Sequence, residues 1–254
     1  TGIWSIAEIN VGDLSTEYQV VLFVKLFCAG LSATAAVVHS LGNSKVAKGV
    51  GGAMTLLFGL AAMFLGELVQ HFPNGFVLFV SQVLQHKRVE LALEMVHLLR
   101  TVWRLDVGLV IAGPNRKPMY RRDLEKLRQR LPEAHVLFTD EITEQQLATL
   151  YRSCLVYVGT SEHEGLAIPP LEAMANGAPV VVRAAGAVAE TVKQAGIIVP
   201  LESGIGELTG AVARVIEDNS LRHELVKSGY ERVSEFESVD TTSHFVERIG
   251  KLFI

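Results

Sequence analysis

From Phe76 onward, short apolar runs alternate with amphipathic stretches, and this alternation constrains the fold more than any single motif. The runs 76–80, 106–112, 134–139, 155–159, 179–182 and 196–199 have the length and composition of buried strands. Between and after them, 87–104, 120–131, 144–153, 188–194, 207–217 and 221–237 read as helices, with a last one expected over 244–253. Thr143 followed by Gln146 fits a capping box opening the helix at 144. Gly113-Pro114-Asn115 marks a turn, and the charged face of 120–131, with Arg121 and Glu125 one turn apart, reads as solvated surface. Strands alternating with helices imply parallel pairing through right-handed crossovers. Residues 76–254 are therefore predicted to form an α/β domain, a doubly wound parallel Rossmann-like sheet. Ligands in such sheets sit at the carboxyl ends of the strands, so the loops after Val80, Ala112, Thr139, Gly159 and Val182 should line a cleft.

One of those loops carries most of the candidate chemistry. The stretch from Ser161 to Val182 holds Glu164 in a turn and Glu172 eight positions later. Pro169 and Pro170 suit the opening of a helix, where φ is already near the helical value and a missing N–H costs little. Glu172 is then expected in the first helical turn. Asn176-Gly177-Ala178-Pro179 should end the helix, with Gly177 as left-handed cap. Free N–H groups of Gly165, Leu166, Ala167 and Ile168, at the positive end of a helix dipole, favour an anion such as phosphate. Carboxylates beside an anion site make sense as acceptors for hydroxyl donors on the same ligand. The residues alone leave a second reading open, with Glu172 a favourable charge on a helix and Glu164 a solvated loop residue.

The run E-H-E-G-L-A-I-P-P-L-E-A-M-A-N-G-A-P-V-V resembles the E-x7-E signature of retaining glycosyltransferases of the two-Rossmann-domain (GT-B) class, specifically family 4, also called group 1. The resemblance extends from Phe76 to about Ser238 and identifies this region with the carboxy-terminal, donor-binding domain. It implies that Glu164 holds hydroxyls of a donor sugar, that Glu172 holds ribose hydroxyls, and that Gly165 to Ile168 offer N–H groups to a diphosphate. In the loop from Ser81 to Arg88, the family has Gly-Arg at the first two positions and a Lys five after the Arg. Lys87 matches that Lys, whereas Ser81 and Gln82 depart from Gly-Arg. Lys87 would neutralise charge on a departing diphosphate. Gln82 could only hydrogen-bond, and Arg88 is the available substitute cation. A second departure is Gly165-Leu166-Ala167 where the family has Gly-Phe-Gly; Ala167 adds a Cβ and restricts φ where backbone should approach phosphate. His163 is expected as a hydrogen-bonding neighbour of Glu164, with a general acid or base role less favoured, and His86 is a weaker candidate. Ile142, with Asp140 and Glu141, would border the nucleobase. The resemblance thus assigns Glu164 and Lys87 to catalysis. It gives Gln82, Arg88, Ile142, His163, Gly165, Leu166, Ala167, Ile168 and Glu172 to the donor, a UDP- or GDP-sugar, with no cofactor and no metal. The acceptor would be a glycan, a lipid-linked molecule or a small molecule.

The front of the chain fits this picture less well. The formal net charge of −4 argues against a nucleic-acid partner. Hydrophobic residues make up 49% and the mean hydropathy is +0.32, which raises membrane contact as a question. The stretches 20–38 and 49–66 are apolar, and the second reaches the roughly 18-residue length of a spanning candidate. Lys45 and Lys48 between them would keep that linker cytoplasmic and place the later domain outside, away from cytosolic nucleotide sugars. A remnant of the family's amino-terminal acceptor domain is therefore the favoured reading of residues 1–75, an incomplete helical region, over an interfacial, buried or spanning helix. The chain opens on Thr1, as a fragment or a processed product would. Cys28 and Cys154 lack metal-ligand spacing and point to a reducing cytoplasm, with peripheral attachment at the cytoplasmic membrane face as the other placement. No P-loop, G-x-S-x-G elbow or strand-linked G-x-G-x-x-G competes. The rival function is a non-catalytic donor-binding subunit that needs a partner carrying the acceptor half.

Overall fold

Residues 72–238 are described here from a computed structural model. The apolar stretches at 20–38 and 49–66 and the helix expected over 244–253 lie outside the described residues. Six parallel strands form one sheet: β1 Phe76–Val80, β2 Gly108–Ala112, β3 Val136–Asp140, β4 Val156–Gly159, β5 Val180–Arg183 and β6 Ile197–Val199. Their order is β3-β2-β1-β4-β5-β6, so the direction of winding reverses between β1 and β4. The helices are α1 Val89–Thr101, α2 Pro118–Arg130, α3 Glu144–Ser153, α4 Ile168–Ala175, α5 Val188–Val192, α6 Ile205–Glu217 and α7 Asn219–Glu237, with 3-10 turns at Gln85–Lys87 and Lys193–Ala195. Among the described residues no helix is long and apolar enough to cross a membrane.

The strand sequences account for two cores. Successive side chains of a strand face opposite sides. Val77 and Phe79 therefore join Leu109, Ile111, Val156, Val158 and Val181 under α1 and α6, while Phe76, Leu78, Val110, Ala112, Val180 and Val182 face α3, α4 and α5. Both faces are covered, which is why the strands read as continuous apolar runs rather than alternating ones. The Phe72 ring lies where a Cβ on Gly108 would stand, so the start of β2 is shaped by a residue ahead of β1.

Boundaries differ from the sequence expectation at several ends, each for a physical reason. The first helix starts at Val89, not at 87, because Arg88 takes the left-handed conformation (φ 51°) between the 3-10 turn and α1. Leu105 donates to the Leu99 carbonyl just past α1, which ends at Thr101 and not at 104. Helix α2 opens two residues early, with Pro118 at its start. Arg121 and Glu125 do not pair with each other. Glu125 accepts from Arg128, and Arg121 lies over the Phe138 ring, 3.2 Å from its centroid, so this face is partly a lid on β3 and not only solvated surface. Glu172 is the fifth residue of α4, not part of its first turn, because the helix opens at Ile168 with Ala167 left-handed before it. Gly177 is the left-handed cap (φ 77°) that the sequence predicts.

The capping box at α3 forms as its spacing predicts: Gln146 N donates to Thr143 Oγ1 at 3.2 Å, and Thr143 N donates to Gln146 Oε1 at 2.9 Å. Thr143→Ala should lower the unfolding free energy by about 1 kcal/mol in a urea titration, with Thr143→Ser close to unchanged.

Candidate functional site

The loops after β1 and β4 meet at the reversal of strand order, and they are sewn together by main-chain and side-chain bonds. Thr160, fully buried at the end of β4, places its Oγ1 2.8 Å from the carbonyls of both Lys87 and Arg88. Glu162 N donates to the His86 carbonyl at 2.9 Å. Lys87 Nζ then reaches Glu164 Oε1 at 2.5 Å, and Ser161 Oγ donates to the same oxygen at 2.6 Å. The side chains of Lys87 and Glu164 are 17% and 20% exposed, so the pair is sheltered but open to a ligand. Glu164 Oε2 accepts from no described residue.

The turn after Glu164 is held from behind. Its carbonyl accepts from Ala187 N at 3.2 Å, and the Leu166 carbonyl accepts from Thr191 Oγ1 at 3.0 Å. A trans peptide points its N–H opposite to its C=O, so the N–H groups of Gly165 and Ala167 face away from α5. None of the N–H groups of Gly165, Leu166, Ala167 and Ile168 donates to a described atom. Leu166 and Ile168 are exposed. Ala167 is buried and left-handed (φ 57°), a conformation that costs an L-residue roughly 1–2 kcal/mol. Arg88 and Asp140 share that conformation at the same end of the sheet. The close approach of Gly186 fixes the turn's other side: with φ 55°, a Cβ there would stand 2.3 Å from the Glu164 carbonyl oxygen.

Glu172 points from α4 to α3, where Tyr151 donates to its Oε2 at 3.0 Å. Burial, then Tyr157 and Glu172, hold the Tyr151 phenol far above its ordinary range, so it stays a donor. Arg88 pairs with Glu90 and Glu162, and Tyr120 also donates to Glu90. Glu90 first, with Glu162 adding to it against the burial, raises the Arg88 guanidinium above its usual value. Arg88 is thus committed to bracing the Glu162 loop and is not a spare cation. His163 is exposed and bonds to nothing described; the hydrogen-bonding neighbours of Glu164 are Lys87 and Ser161, not His163. Gln82 is exposed with no side-chain bond, and His86 is exposed as well. Ile142 sits just past β3, partly buried against the α3 side of the sheet.

Three participants escaped the sequence reading. Thr160 and Tyr151 act through partners distant in the chain, and nothing in their local sequence marks them. Arg183, at the carboxyl end of β5, lines a cavity with Ser81, Tyr157, Ser161, Glu164 and Ala167. It donates to the Leu201 carbonyl and has no carboxylate partner among the described residues. A cation ending an otherwise apolar strand run was its available signal. A larger concavity of about 570 Å³ beside Trp103 lies by α6, at the opposite, amino-terminal end of the strands, away from this chemistry.

These features define a doubly wound α/β domain whose switch point presents cations, free amides and half-engaged carboxylates together. Residues 72–232 match the family model described as glycosyl transferases group 1, and the chain belongs to that family. It is 31% identical over 179 residues to an uncharacterised glycosyltransferase of Methanocaldococcus jannaschii, covering 69% of this chain and 44% of that one. It is 31% identical over 148 residues to the MMP alpha-(1->4)-mannosyltransferase of Mycolicibacterium hassiacum, covering 55% of this chain and 35% of that one. The chain therefore spans less than half the length of these curated relatives. The fold also matches that of Anabaena HepE, solved with UDP and glucose, with a TM-score of 0.64 at 21% identity over 74% of this chain and 52% of that one.

Gly186→Ala should destabilise the domain by at least about 2 kcal/mol, since it combines a steric overlap with a left-handed backbone. A melting curve would read it, and Ala185→Gly, as a neighbouring control, should not disturb the Glu164 turn in the same way.

Proposed function

We propose that this domain binds a nucleotide-diphosphate sugar and transfers its glycosyl group, with retention of configuration, to a glycan, lipid-linked or small-molecule hydroxyl. The observation that carries the reading is the convergence of Lys87, the half-engaged Glu164 and the unpartnered N–H groups of Gly165 to Ile168 at the sheet's switch point. A diphosphate and a polyhydroxy sugar joined to it need both kinds of group side by side. In transfer, the bond from the anomeric carbon to the diphosphate oxygen breaks with its electron pair on the oxygen. The acceptor oxygen bonds to that carbon, and its proton passes to the departing diphosphate oxygen. Lys87 and the turn amides would stabilise the charge on the leaving diphosphate, without a metal. Glu164 would orient the sugar through its second oxygen, and Glu172 would hold ribose hydroxyls. Ile142 would border the base of a UDP- or GDP-sugar donor. The acceptor-side group would come from residues 1–75 or from a partner subunit, and the reaction would run in the cytoplasm or at its membrane face.

A donor-binding module without transfer is the second reading. It is favoured by the exposed, unbonded Gln82, which supplies no charge, and by the strained Ala167.

Calorimetric titration with UDP-glucose and GDP-mannose tests the proposal. Saturable binding of one of them is expected, weakened at least about 10-fold by Glu172→Ala, as loss of a charged hydrogen-bond acceptor requires. A well-folded chain that binds neither would defeat both readings, and binding without turnover when acceptors are supplied would favour the second. Gln82→Arg should tighten nucleoside diphosphate binding about 3- to 10-fold by adding a cation that can bridge two phosphate oxygens.

A further inference from the structure

Tyr157 is a polar side chain that the donor reading leaves unused. It lies in the middle of β4, 4% exposed, and its ring packs 6.1 Å from that of Tyr151. Its hydroxyl bonds to no described residue. The side chain is buried, yet its hydroxyl is not among the fully buried unpaired atoms of the described residues, which are on His97, Arg100 and Arg121, so its oxygen stays open to water or to a ligand group. The hydroxyl borders a cavity of about 20 Å³ that Ser161, Glu164 and Ala167 also line. That is room for one hydroxyl-sized group and little more.

The next residue on the same face explains how a phenol at the centre of a strand reaches the cleft. Gly159 has no side chain; a Cβ there would stand 3.0 Å from Val182 Cγ1 and 3.5 Å from the Tyr157 hydroxyl oxygen. A Cβ at 159 would crowd Val182 and rest in ordinary contact on the tyrosine oxygen, so the Tyr157 O–H lies beside Gly159, toward the carboxyl ends of the strands. Burial first, then the nearby Glu164 and Glu172 carboxylates, holds the phenol protonated far above neutral pH. It can only act as a neutral donor or acceptor, never as a base.

We propose that the Tyr157 hydroxyl, with Ser161 and the free oxygen of Glu164, forms a subsite for a single hydroxyl of the donor sugar. It would thereby make the configuration at one sugar carbon a requirement for binding. A sugar hydroxyl both donates and accepts, and this pocket offers it a phenolic donor and a carboxylate acceptor at once. Tyr157 is on this view a specificity-determining residue. The inference rests on the donor reading above but adds a residue and a selectivity to it.

The test is calorimetry on the full chain with UDP, GDP, UDP-glucose and GDP-mannose, comparing wild type, Tyr157→Phe and Gly159→Ala. Tyr157→Phe keeps the ring and its packing. The proposal expects it to weaken the preferred nucleotide sugar about 5- to 20-fold, the worth of one well-placed hydrogen bond, while the bare nucleoside diphosphate binds as before. Gly159→Ala should weaken the same sugar without changing the diphosphate. A deoxy-sugar donor lacking the recognised hydroxyl should bind wild type and Tyr157→Phe equally. Equal weakening of sugar and diphosphate by Tyr157→Phe, or no change in either, would overturn the subsite while leaving the donor reading intact. Wild-type chain that binds no nucleotide at all would instead overturn the donor reading on which the subsite stands.

Discussion

The buried hydroxyl of Thr160, set against the carbonyls of Lys87 and Arg88, is the constraint on which the site depends. Two loops that leave neighbouring parallel strands have no main-chain ladder to keep them together beyond the sheet. Here a side chain with no exposure bridges them, and the Glu162 N–H to the His86 carbonyl adds a second tie. With those ties in place, Arg88 can take its left-handed turn and brace Glu162, and Lys87 comes within 2.5 Å of Glu164. Removing the tie would leave the lysine and the glutamate to find each other across solvent, where an ion pair is worth little.

Sheltering the Lys87–Glu164 pair has a chemical consequence. A lone glutamate in a partly buried turn would be costly, and a lone lysine there would be too. Paired, each offsets the cost of the other, and each has capacity to spare: two further N–H donors on the ammonium and one free oxygen on the carboxylate. An incoming ligand with an anionic part and a hydroxylated part can engage both without separating them. Three of the five non-glycine residues with positive φ among the described residues, Arg88, Asp140 and Ala167, lie at this same end of the sheet, and Arg104 and Lys193 lie ahead of β2 and β6.

The parts of this site differ in how readable they were. The Glu164 turn, the proline-opened helix, the Gly177 cap and the Thr143 capping box are written in residues three to eight apart, and local chemistry alone calls for them. Glu172 falls just past the first turn of α4 because the helix opens at Ile168, one residue ahead of its prolines, after an alanine whose left-handed conformation no propensity favours. His163, though adjacent to Glu164 in sequence, is exposed and makes no bond to it, and Ser161 with Lys87 holds the carboxylate instead. Arg88 does not replace Gln82 with a free cation, because Glu90 and Glu162, the latter 74 positions away, already hold its guanidinium.

The sequence by itself determined the class of fold and the strand-ended loops that line the cleft, while its resemblance to group 1 glycosyltransferases singled out the two carboxylates and the lysine as candidates. The fold and the loops follow from periodicity and turn chemistry, which act over a few positions. Only the tertiary structure decided which groups are available and which are already engaged: Glu164 with one oxygen held, Arg88 spent on Glu90 and Glu162, Tyr151 bound to Glu172, Tyr157 left over beside a space that Gly159 keeps open. Availability is a property of partners brought together from distant parts of the chain by a parallel sheet, and such partners leave no local mark in the sequence.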